Sequence, residues 1–510
     1  MLAQVISSAN LGIDAYVVRV EVDIGGGLPS FSTVGLPDGA VKESKDRVSA
    51  AIKNSGFLFP RKRITVNLAP ADIRKEGAAF DLPIAVGILA ATQQVQQEKL
   101  IRVMVLGELS LDGSLRDVRG VLSMAIEARR HQVEGMIVPA GNAKEAAIVA
   151  GVRVFPAATL SETVELLNGQ KHRDPFVVDQ KKLFSQSSAY DVDFCDVKGQ
   201  EHVKRALEVA AAGGHNIIMI GPPGSGKTML ARRIPTILPP MTLDEALETT
   251  RIHSVAGLLP RNRALVAARP FRAPHHTISD AGLIGGGHHP RPGEVSLAHR
   301  GVLFLDELPE FKKNVLEVMR QPLEDGQVTI ARANISLTYP ANFMLAAAMN
   351  PCPCGYYTDS RVECTCTPLQ IQRYMSRISG PLLDRIDIHI EVPAVRYKEL
   401  STKSCGESSA DIRKRVIQTR EMQLRRFRHR KIYSNGQMSS QDIRRHCAID
   451  VDSSKLMQMA VAKFGLSARA YDRILKVSRT IADLEGRKQI SSAHIAEAIQ
   501  YRTLDRNLWM

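Results

Sequence analysis

The chain has 510 residues, of which 44% are hydrophobic and 24% are charged. This composition excludes a disordered or fibrous protein, and the length suits two or three ordinary domain cores. The formal net charge of +14 indicates a polyanionic partner, or simply keeps a large protein in solution. Seven cysteines, an odd number, do not form the pattern of a disulfide framework, so we expect a reducing compartment.

The sequence shows no signal for membrane insertion. It does not open with a charged and then apolar leader, and no run approaches the roughly 20 apolar residues that a bilayer crossing needs. We therefore expect a protein of the cytoplasm that has no membrane partner.

Residues 1–168 alternate β-rich runs with helical patterns, which predicts one α+β domain. The β-rich runs are Ala15 to Ile24, Arg63 to Leu68 and Val103 to Leu111, and the helical patterns are Ala40 to Lys53, Val121 to His131 and Ala143 to Ala150. Residues 169–192 are polar and aperiodic, as a linker is.

Two further regions follow the linker. Residues 193–395 alternate short apolar strands with helices, which predicts an α/β core with an open, largely parallel sheet. Residues 396–510 begin with a Ser-rich stretch and then place apolar residues at helical spacing, which predicts a small all-α lid.

The α/β core contains a phosphate-binding pattern. An apolar strand at Ile217 to Ile220 leads into a Gly-rich turn and a helix, which is the context that this pattern requires. In such a loop, glycines let backbone N–H groups surround the β-phosphate, Lys227 adds positive charge and the Thr228 hydroxyl binds Mg²⁺. The predicted ATP-binding residues are Gly221, Pro222, Pro223, Gly224, Ser225, Gly226, Lys227 and Thr228.

Two further apolar strands end in polar residues that suit ATP hydrolysis. The run GVLFLDEL carries Asp306 and Glu307 to the carboxyl end of its strand, where ligands bind in open α/β sheets. Asp306 suits the Mg²⁺ shell, and Glu307 suits the orientation and deprotonation of the attacking water. The run MLAAAMN ends in Asn350, whose amide could hold the same water.

The sequence resembles the AAA+ superfamily, and specifically the magnesium-chelatase-like proteins of the ComM (competence protein M) group. The resemblance covers nearly the whole chain, and its specific stretches are RPFRAPHHTISDAGLIGGG, PRPGEVSLAHRGVLFLDELPEF, NPCPCGYY and ISGPLLDRIDIHIEV. It implies a P-loop NTPase core with a helical lid. It also implies a hexameric DNA helicase that drives branch migration in the homologous recombination of natural transformation, together with recombination proteins.

The same resemblance, together with the chemistry of the arginine side chain, indicates two functional arginines. Arg385 lies in a polar turn between a helix and a strand, where an arginine finger would reach the γ-phosphate of a neighbouring subunit. Arg469 opens a lid helix and matches a sensor-2 arginine, with Arg473 one turn later as the rival. Solvent-facing helix charges are the alternative for both lid arginines.

Two segments connect the chain to DNA. LIGGGHHPRPGEVS predicts a hairpin with His289 and Arg291 at its tip, placed like the helix-2 insert of replicative MCM helicases. QVTIARANISLTYPANF predicts a second hairpin with Arg332 and Asn334 at its tip, and it looks like their pre-sensor-1 hairpin. In a ring these tips would contact single-stranded, forked or branched DNA independently of base sequence. The alternative is an ordinary surface hairpin.

Four cysteines cluster as two C-x-C pairs, namely Cys352, Cys354, Cys364 and Cys366. Four thiolates in one short loop can bind Zn²⁺, although C-x-C is tighter than the usual zinc spacing. Structural zinc and reduced, unliganded thiols are both consistent with this pattern. The His275–His276 and His288–His289 pairs lack ligand partners at helical spacing, and we do not expect them to bind a metal.

The N-terminal domain resembles the Lon-protease-like domain, a variant of the ribosomal protein S5 second-domain fold. The protease uses a serine that is activated by a lysine. The matching positions are Ala79 and Leu122, so we expect a catalytically inactive domain.

Taken together, these features of the sequence favour a DNA-translocating ATPase over a chelatase-type motor that remodels a metal-inserting partner. They disfavour an ATP-dependent protease.

Overall fold

The structure is a computed structural model in which two compact units are distinguished. One unit contains residues 1–187 and 246–267, and the other contains residues 188–245 and 268–510. The described residues are 1–75, 77–180, 183–184, 190–260, 264–287, 290–332, 335–357, 359, 361–395, 406–430 and 432–502, and the side chains of Arg332 and Ile335 are outside the description.

In the first unit, alternating buried and exposed side chains along two long strands produce an antiparallel pair with one face in the core. The strands of this unit are β1 (Leu2–Leu11), β2 (Asp14–Gly25), β3 (Ser30–Val34), β4 (Arg63–Ala69), β5 (Val103–Val105), β6 (Glu108–Leu109), β7 (Leu115–Arg116), β8 (Gly135–Pro139) and β9 (Val154–Ala157). Its helices are α1 (Gly39–Asn54), α2 (Asp81–Ala91), α3 (Val121–Arg130), α4 (Ala143–Ala146) and α5 (Leu160–Leu167).

Seven of these strands form one mixed sheet in the order β3-β4-β2-β1-β5-β8-β9. Its pairs β1–β2 and β2–β4 are antiparallel, and the remaining pairs are parallel. The predicted α+β organisation of this region is confirmed. The helical pattern predicted from Ala143 is shorter than expected, because α4 ends at Ala146.

Residues 246–267 belong to the first unit, although the sequence pattern assigned them to the ATPase core. Specific polar contacts hold this segment in the unit. The guanidinium of Arg251 donates to the carbonyl oxygen of Ile13 at 2.9 Å, and the Ser254 hydroxyl donates to the buried carboxylate of Glu145. These partners are remote in sequence, so no local pattern indicates the association.

The second unit is built on a five-stranded parallel sheet in the order β11-β14-β17-β10-β18. The strands of this unit are β10 (Ile217–Ile220), β11 (Phe271–Arg272), β12 (Gly285–Gly286), β13 (Arg291–Pro292), β14 (Val302–Leu305), β15 (Gln327–Arg332), β16 (Ile335–Pro340), β17 (Met344–Met349) and β18 (Ile388–Glu391). Every residue of β10, β14 and β17 is buried, as in parallel sheets covered on both faces.

The remaining helices form two groups in chain order. The core helices are α6 (Glu201–Gly213), α7 (Lys227–Ile237), α8 (Leu243–Ala256, mostly in the first unit), α9 (Asp280–Ile284), α10 (Glu294–Leu297), α11 (Lys313–Val318), α12 (Arg320–Asp325), α13 (Pro368–Met375) and α14 (Gly380–Leu383). The lid helices are α15 (Ser409–Arg426), α16 (Ser440–His446), α17 (Val451–Phe464), α18 (Ala468–Leu484) and α19 (Ser492–Gln500).

The predicted all-α lid is confirmed. Ser408, Ser439, Asp450 and Ser467 cap the N-termini of α15, α16, α17 and α18 with side-chain oxygens. Apolar side chains of α15 and α18 share one continuous core with α6, α7 and the parallel sheet. The lid and the sheet of this unit are therefore packed as one body.

Candidate active site

The phosphate loop leaves the carboxyl end of β10, which lies between β17 and β18 in the sheet. A Cβ atom at Gly221 would lie 2.1 Å from the carbonyl oxygen of Val392, and Gly226 has a φ of 89°. Glycine is therefore required at both positions. The loop ends where α7 begins at Lys227, so backbone N–H groups of a helix N-terminus are available to an anion.

The side chain of Lys227 is buried inside this loop. Its ammonium group donates to the carbonyl oxygens of Gly221 at 2.8 Å and Pro222 at 2.9 Å, and to Asn350 Oδ1 at 3.3 Å. Burial lowers the pKa of Lys227 below its ordinary value, and the nearby Asp306 carboxylate opposes that shift. The structure thus brings Asn350 to the phosphate loop from the end of β17.

Thr228 and Asp306 meet at the same edge of the sheet. The Thr228 hydroxyl donates to Asp306 Oδ2 at 2.7 Å, so α7 and the end of β14 are joined by this bond. A hydroxyl and a carboxylate are hard oxygen ligands of the kind that Mg²⁺ prefers. The residues present therefore fit a nucleotide with its Mg²⁺ ion.

Glu307 directly follows Asp306 and has a left-handed backbone conformation, with φ at 52° and ψ at 47°. Non-glycine residues rarely adopt this conformation, and it concentrates at functional sites. The Glu307 carboxylate is half exposed and lies 3.2 Å from His276 Nδ1. Sequence reasoning missed His276, because it considered the histidine pair only as a metal ligand.

Gln200 is a second site residue that sequence reasoning missed. It is buried and has a φ of 56°, just before α6 begins. Its side-chain amide donates to the carbonyl oxygens of Ser225 at 2.9 Å and Pro393 at 2.8 Å. Gln200 therefore fixes the phosphate loop to the segment after β18.

Arg385 lies in the turn between α14 and β18, as the sequence predicted. Its guanidinium donates to the carbonyl oxygen of Pro381 and to the carboxylate of Glu324. The side chain is only 11% exposed. Within the single chain, Arg385 is therefore held by Glu324, at the end of α12.

The two candidate lid arginines differ in their surroundings. The Arg469 side chain is 63% exposed, with a nitrogen 3.7 Å from Asp384. Arg473 is one turn later, 22% exposed and paired with Asp387. Asp387 also contacts the fully buried His215 at 3.0 Å, so Arg473 belongs to a buried polar group that joins the lid to the sheet.

The two predicted hairpins pack against each other. The strands β12 and β13 pair antiparallel, as do β15 and β16, where Arg332 is paired with Ile335. The phenol of Tyr339 in β16 donates to the Pro290 carbonyl oxygen at 2.8 Å. Arg291 is exposed, whereas the predicted His289 and Asn334 lie outside the described residues.

The four clustered cysteines converge on one point. Their sulfur atoms all lie within 4.8 Å of one another. Among the described residues, no other group of three or more histidines, cysteines or carboxylates is arranged to hold a metal ion.

Three sequence families match the chain in succession. Residues 20–142 match the subunit ChlI of Mg-chelatase, residues 193–400 match magnesium chelatase subunit ChlI, and residues 406–502 match its C-terminal region. The chain is 47% identical to competence protein ComM of Haemophilus influenzae, over 99% of this chain and 98% of that protein. The chain belongs to the ComM family of magnesium-chelatase-like AAA+ proteins.

Other relatives extend this ComM family relationship. The protein YifB of Escherichia coli is 44% identical over 99% of this chain and 98% of its own length. The chloroplastic magnesium-chelatase subunit ChlI-2 of Arabidopsis thaliana is 22% identical over 62% of this chain and 76% of its own length. The AAA+ family implies ATP and Mg²⁺ as ligands, in agreement with the residues at the phosphate loop.

The two positions predicted to match the Lon protease dyad carry aliphatic side chains. Ala79 lies in the short 3₁₀ helix Ala78–Phe80, and Leu122 is buried at the start of α3. Within the described ranges, no helix is both long enough and apolar enough to cross a membrane.

Proposed function

We propose that this chain is an ATP-hydrolysing DNA translocase that assembles as a homohexameric ring. In this proposal it acts in the cytoplasm as a helicase that promotes branch migration during the recombination of natural transformation, alongside recombination proteins. The single observation that carries the proposal is the pair of packed hairpins, because each one continues into a strand that ends at a residue of the ATP site.

The chain path gives this coupling a physical form. The hairpin β15–β16 continues into β17 and Asn350, and the hairpin β12–β13 continues through α10 into β14, Asp306 and Glu307. The six residues of β17 span about 20 Å. A rigid, fully buried strand of that length can transmit a displacement between a DNA contact and the ATP site.

Each residue at the ATP site has a proposed role. Lys227 and the backbone N–H groups of the loop bind the β- and γ-phosphates, and Thr228 and Asp306 hold Mg²⁺, which supplies neutralising charge. Glu307 accepts a proton from the attacking water, and Asn350 orients that water. Arg385 stabilises the transition-state charge in the neighbouring subunit's site, and Arg469 contributes from the lid.

The domain roles complete the proposal. Residues 1–168 serve as an inactive Lon-like domain, because neither the Ala79 methyl group nor the Leu122 side chain can perform acyl transfer. Residues 169–192 act as a linker, residues 193–395 as the ATPase core and residues 396–510 as the lid.

The relationship to magnesium-chelatase subunits favours a second candidate, a chelatase-type motor that remodels a metal-inserting partner protein. The two candidates differ in what stimulates the ATPase. A translocase hydrolyses ATP faster when it moves on DNA, whereas a chelatase motor has no reason to respond to DNA.

The test is the rate of ATP hydrolysis by the full-length protein, measured with and without forked DNA while oligomer size is followed by light scattering. We expect forked DNA to raise the rate severalfold in a hexameric fraction. The Lys227→Ala variant is the control. It lacks the activity of this site, so its rate measures the background of ATP hydrolysis. Equal rates with and without DNA, from hexameric protein, would rule out the translocase assignment.

A further inference from the structure

The loop that follows Asn350 folds four thiols into one cluster. The Cys352 sulfur lies 3.3 Å from that of Cys354 and 3.7 Å from that of Cys364, and the sulfurs of Cys354 and Cys364 are 3.6 Å apart. The sulfur of Cys366 lies within 4.8 Å of the other three. The cluster therefore joins both ends of the loop.

These separations match a tetrahedral thiolate shell around one ion. Zn–S bonds of about 2.3 Å at tetrahedral angles place sulfur atoms about 3.8 Å apart. A disulfide would require about 2.05 Å, which is much shorter than the three distances above. The sulfur spacing thus fits a mononuclear metal centre better than a cross-link.

Backbone donors already point at these sulfur atoms. The Gly355 N–H donates to Cys352 Sγ at 3.2 Å, and the Cys354 N–H donates to Cys366 Sγ at 3.4 Å. Such donors stabilise negative charge on sulfur, as outer-shell partners do around metal-bound ligands. Cys352 is fully buried, so an unpaired thiolate there would need a cation.

We propose that Cys352, Cys354, Cys364 and Cys366 bind one structural Zn²⁺ ion, and that this centre holds the phosphate loop and Asn350 in their working positions. The first part of this proposal, zinc binding, depends only on the geometry of the sulfur atoms. The second part, the positioning of the phosphate loop and Asn350, rests on the proposed ATP site.

The positioning part follows from contacts on both sides of the cluster. Gly355 packs so closely against the phosphate loop that a Cβ atom there would lie 2.6 Å from Pro223 Cδ. Asn350 precedes Cys352 by one proline, and its backbone lies close to the phenol of Tyr374. Tyr374 lies on α13, which begins soon after Cys366.

Loss of the metal would remove the link between the two ends of the cysteine-containing loop. The segment that contacts Pro223 and the segment that leads into α13 are joined through the metal centre, so its removal separates them. We therefore expect weaker nucleotide binding in the metal-free protein, although none of the four cysteines is among the proposed ATP-binding residues.

The metal is tested on the full-length protein by elemental analysis and by cobalt substitution. We expect about one Zn²⁺ per chain, and tetrathiolate ligand-field bands in the visible range when Co²⁺ replaces it. Cys354→Ser and Cys366→Ser should each lose the metal, whereas Cys195→Ser, outside the cluster, should keep it. Protein that holds no metal, or holds iron instead, would overturn the zinc assignment.

The positioning part is tested by removing zinc from the wild-type protein with a chelator and then restoring it. The affinity for a fluorescent ADP analogue should fall severalfold and recover when Zn²⁺ is added back, with circular dichroism showing that the fold persists. An affinity that does not change on zinc removal would disprove the positioning role. Neither readout involves DNA, so their failure is distinguishable from failure of the translocase proposal.

Discussion

Glu307 has a backbone conformation that costs roughly 1–3 kcal/mol in a non-glycine residue. The neighbouring Asp306 accepts a hydrogen bond from Thr228, while Glu307 turns away from Asp306 toward His276. The strained backbone therefore separates two adjacent carboxylates into two positions. Asp306 contacts Thr228, and Glu307 contacts His276.

The residue-scale prediction concerns Glu307→Gln. Glutamine keeps the size and a hydrogen-bond acceptor for His276 but cannot take a proton from water, so the rate of ATP hydrolysis should fall by about 10²- to 10⁴-fold. Nucleotide affinity should stay unchanged, because Lys227 and the loop are intact. Steady-state hydrolysis and equilibrium binding of labelled ATP measure the two effects. A variant that hydrolyses ATP at the wild-type rate would remove Glu307 from the proposed role.

The local sequence was sufficient to predict some residues of the candidate site but not others. The loop from Gly221 to Thr228 is contiguous, so a short pattern identifies it, even though the need for glycine at Gly221 comes from the remote Val392. Gln200 and His276 reach the site from distant segments through tertiary packing. No spacing in the sequence specifies either contact.

The two hairpins act as one element because Tyr339 joins them. Burial raises the pKa of Tyr339 to about 12, so its phenol remains a hydrogen-bond donor to Pro290 over the whole physiological range. The tip residues Arg291 and Arg332 therefore belong to two hairpins that are joined by a hydrogen bond. A displacement of one tip is expected to move the other.

The element-scale prediction concerns Arg332→Ala. Removal of a cation that binds a DNA phosphate should reduce DNA-stimulated hydrolysis and strand separation severalfold, and it should leave hydrolysis without DNA unchanged. The slope of log affinity for single-stranded DNA against log salt should become shallower by about 0.7 for each phosphate that the protein no longer neutralises. Lys455→Ala, an exposed cation on α17, is the matched control. If the salt slope of Arg332→Ala equals that of the wild type, the hairpin tip does not contact phosphate.

Element prediction succeeded for an alternating strand and for a short apolar strand, and it failed for a helix that is buried on all sides. The alternating pattern of β2 and the apolar run of β14 were both recognised. All eleven residues of α2 are buried, so its sequence DLPIAVGILAA has no amphipathic period to detect. The segment 246–267 was assigned to the ATPase core because its partners Ile13 and Glu145 are remote in sequence.

At the scale of the whole molecule, Arg385 has different partners from the residues of the candidate ATP site in its own chain. Lys227, Thr228, Asp306 and Asn350 converge at one edge of the sheet, while Arg385 is engaged by Glu324 and Pro381. The Glu324 side chain is 55% exposed, so the ion pair is open to solvent on that side, where a neighbouring subunit's phosphate could replace Glu324 as the partner of Arg385. A ring supplies that neighbour to every subunit.

The whole-molecule prediction is that Arg385→Ala and Lys227→Ala, each inactive alone, restore hydrolysis when mixed. An Arg385→Ala subunit keeps an intact phosphate loop, and a Lys227→Ala subunit keeps an intact arginine for its neighbour. In randomly mixed rings at equal amounts, about a quarter of the subunit interfaces would combine both intact groups. The rate of ATP hydrolysis should therefore peak near equal proportions of the two variants. If Arg385 acts within its own subunit, no mixture will exceed the separate variants, since every site then lacks one of the two groups.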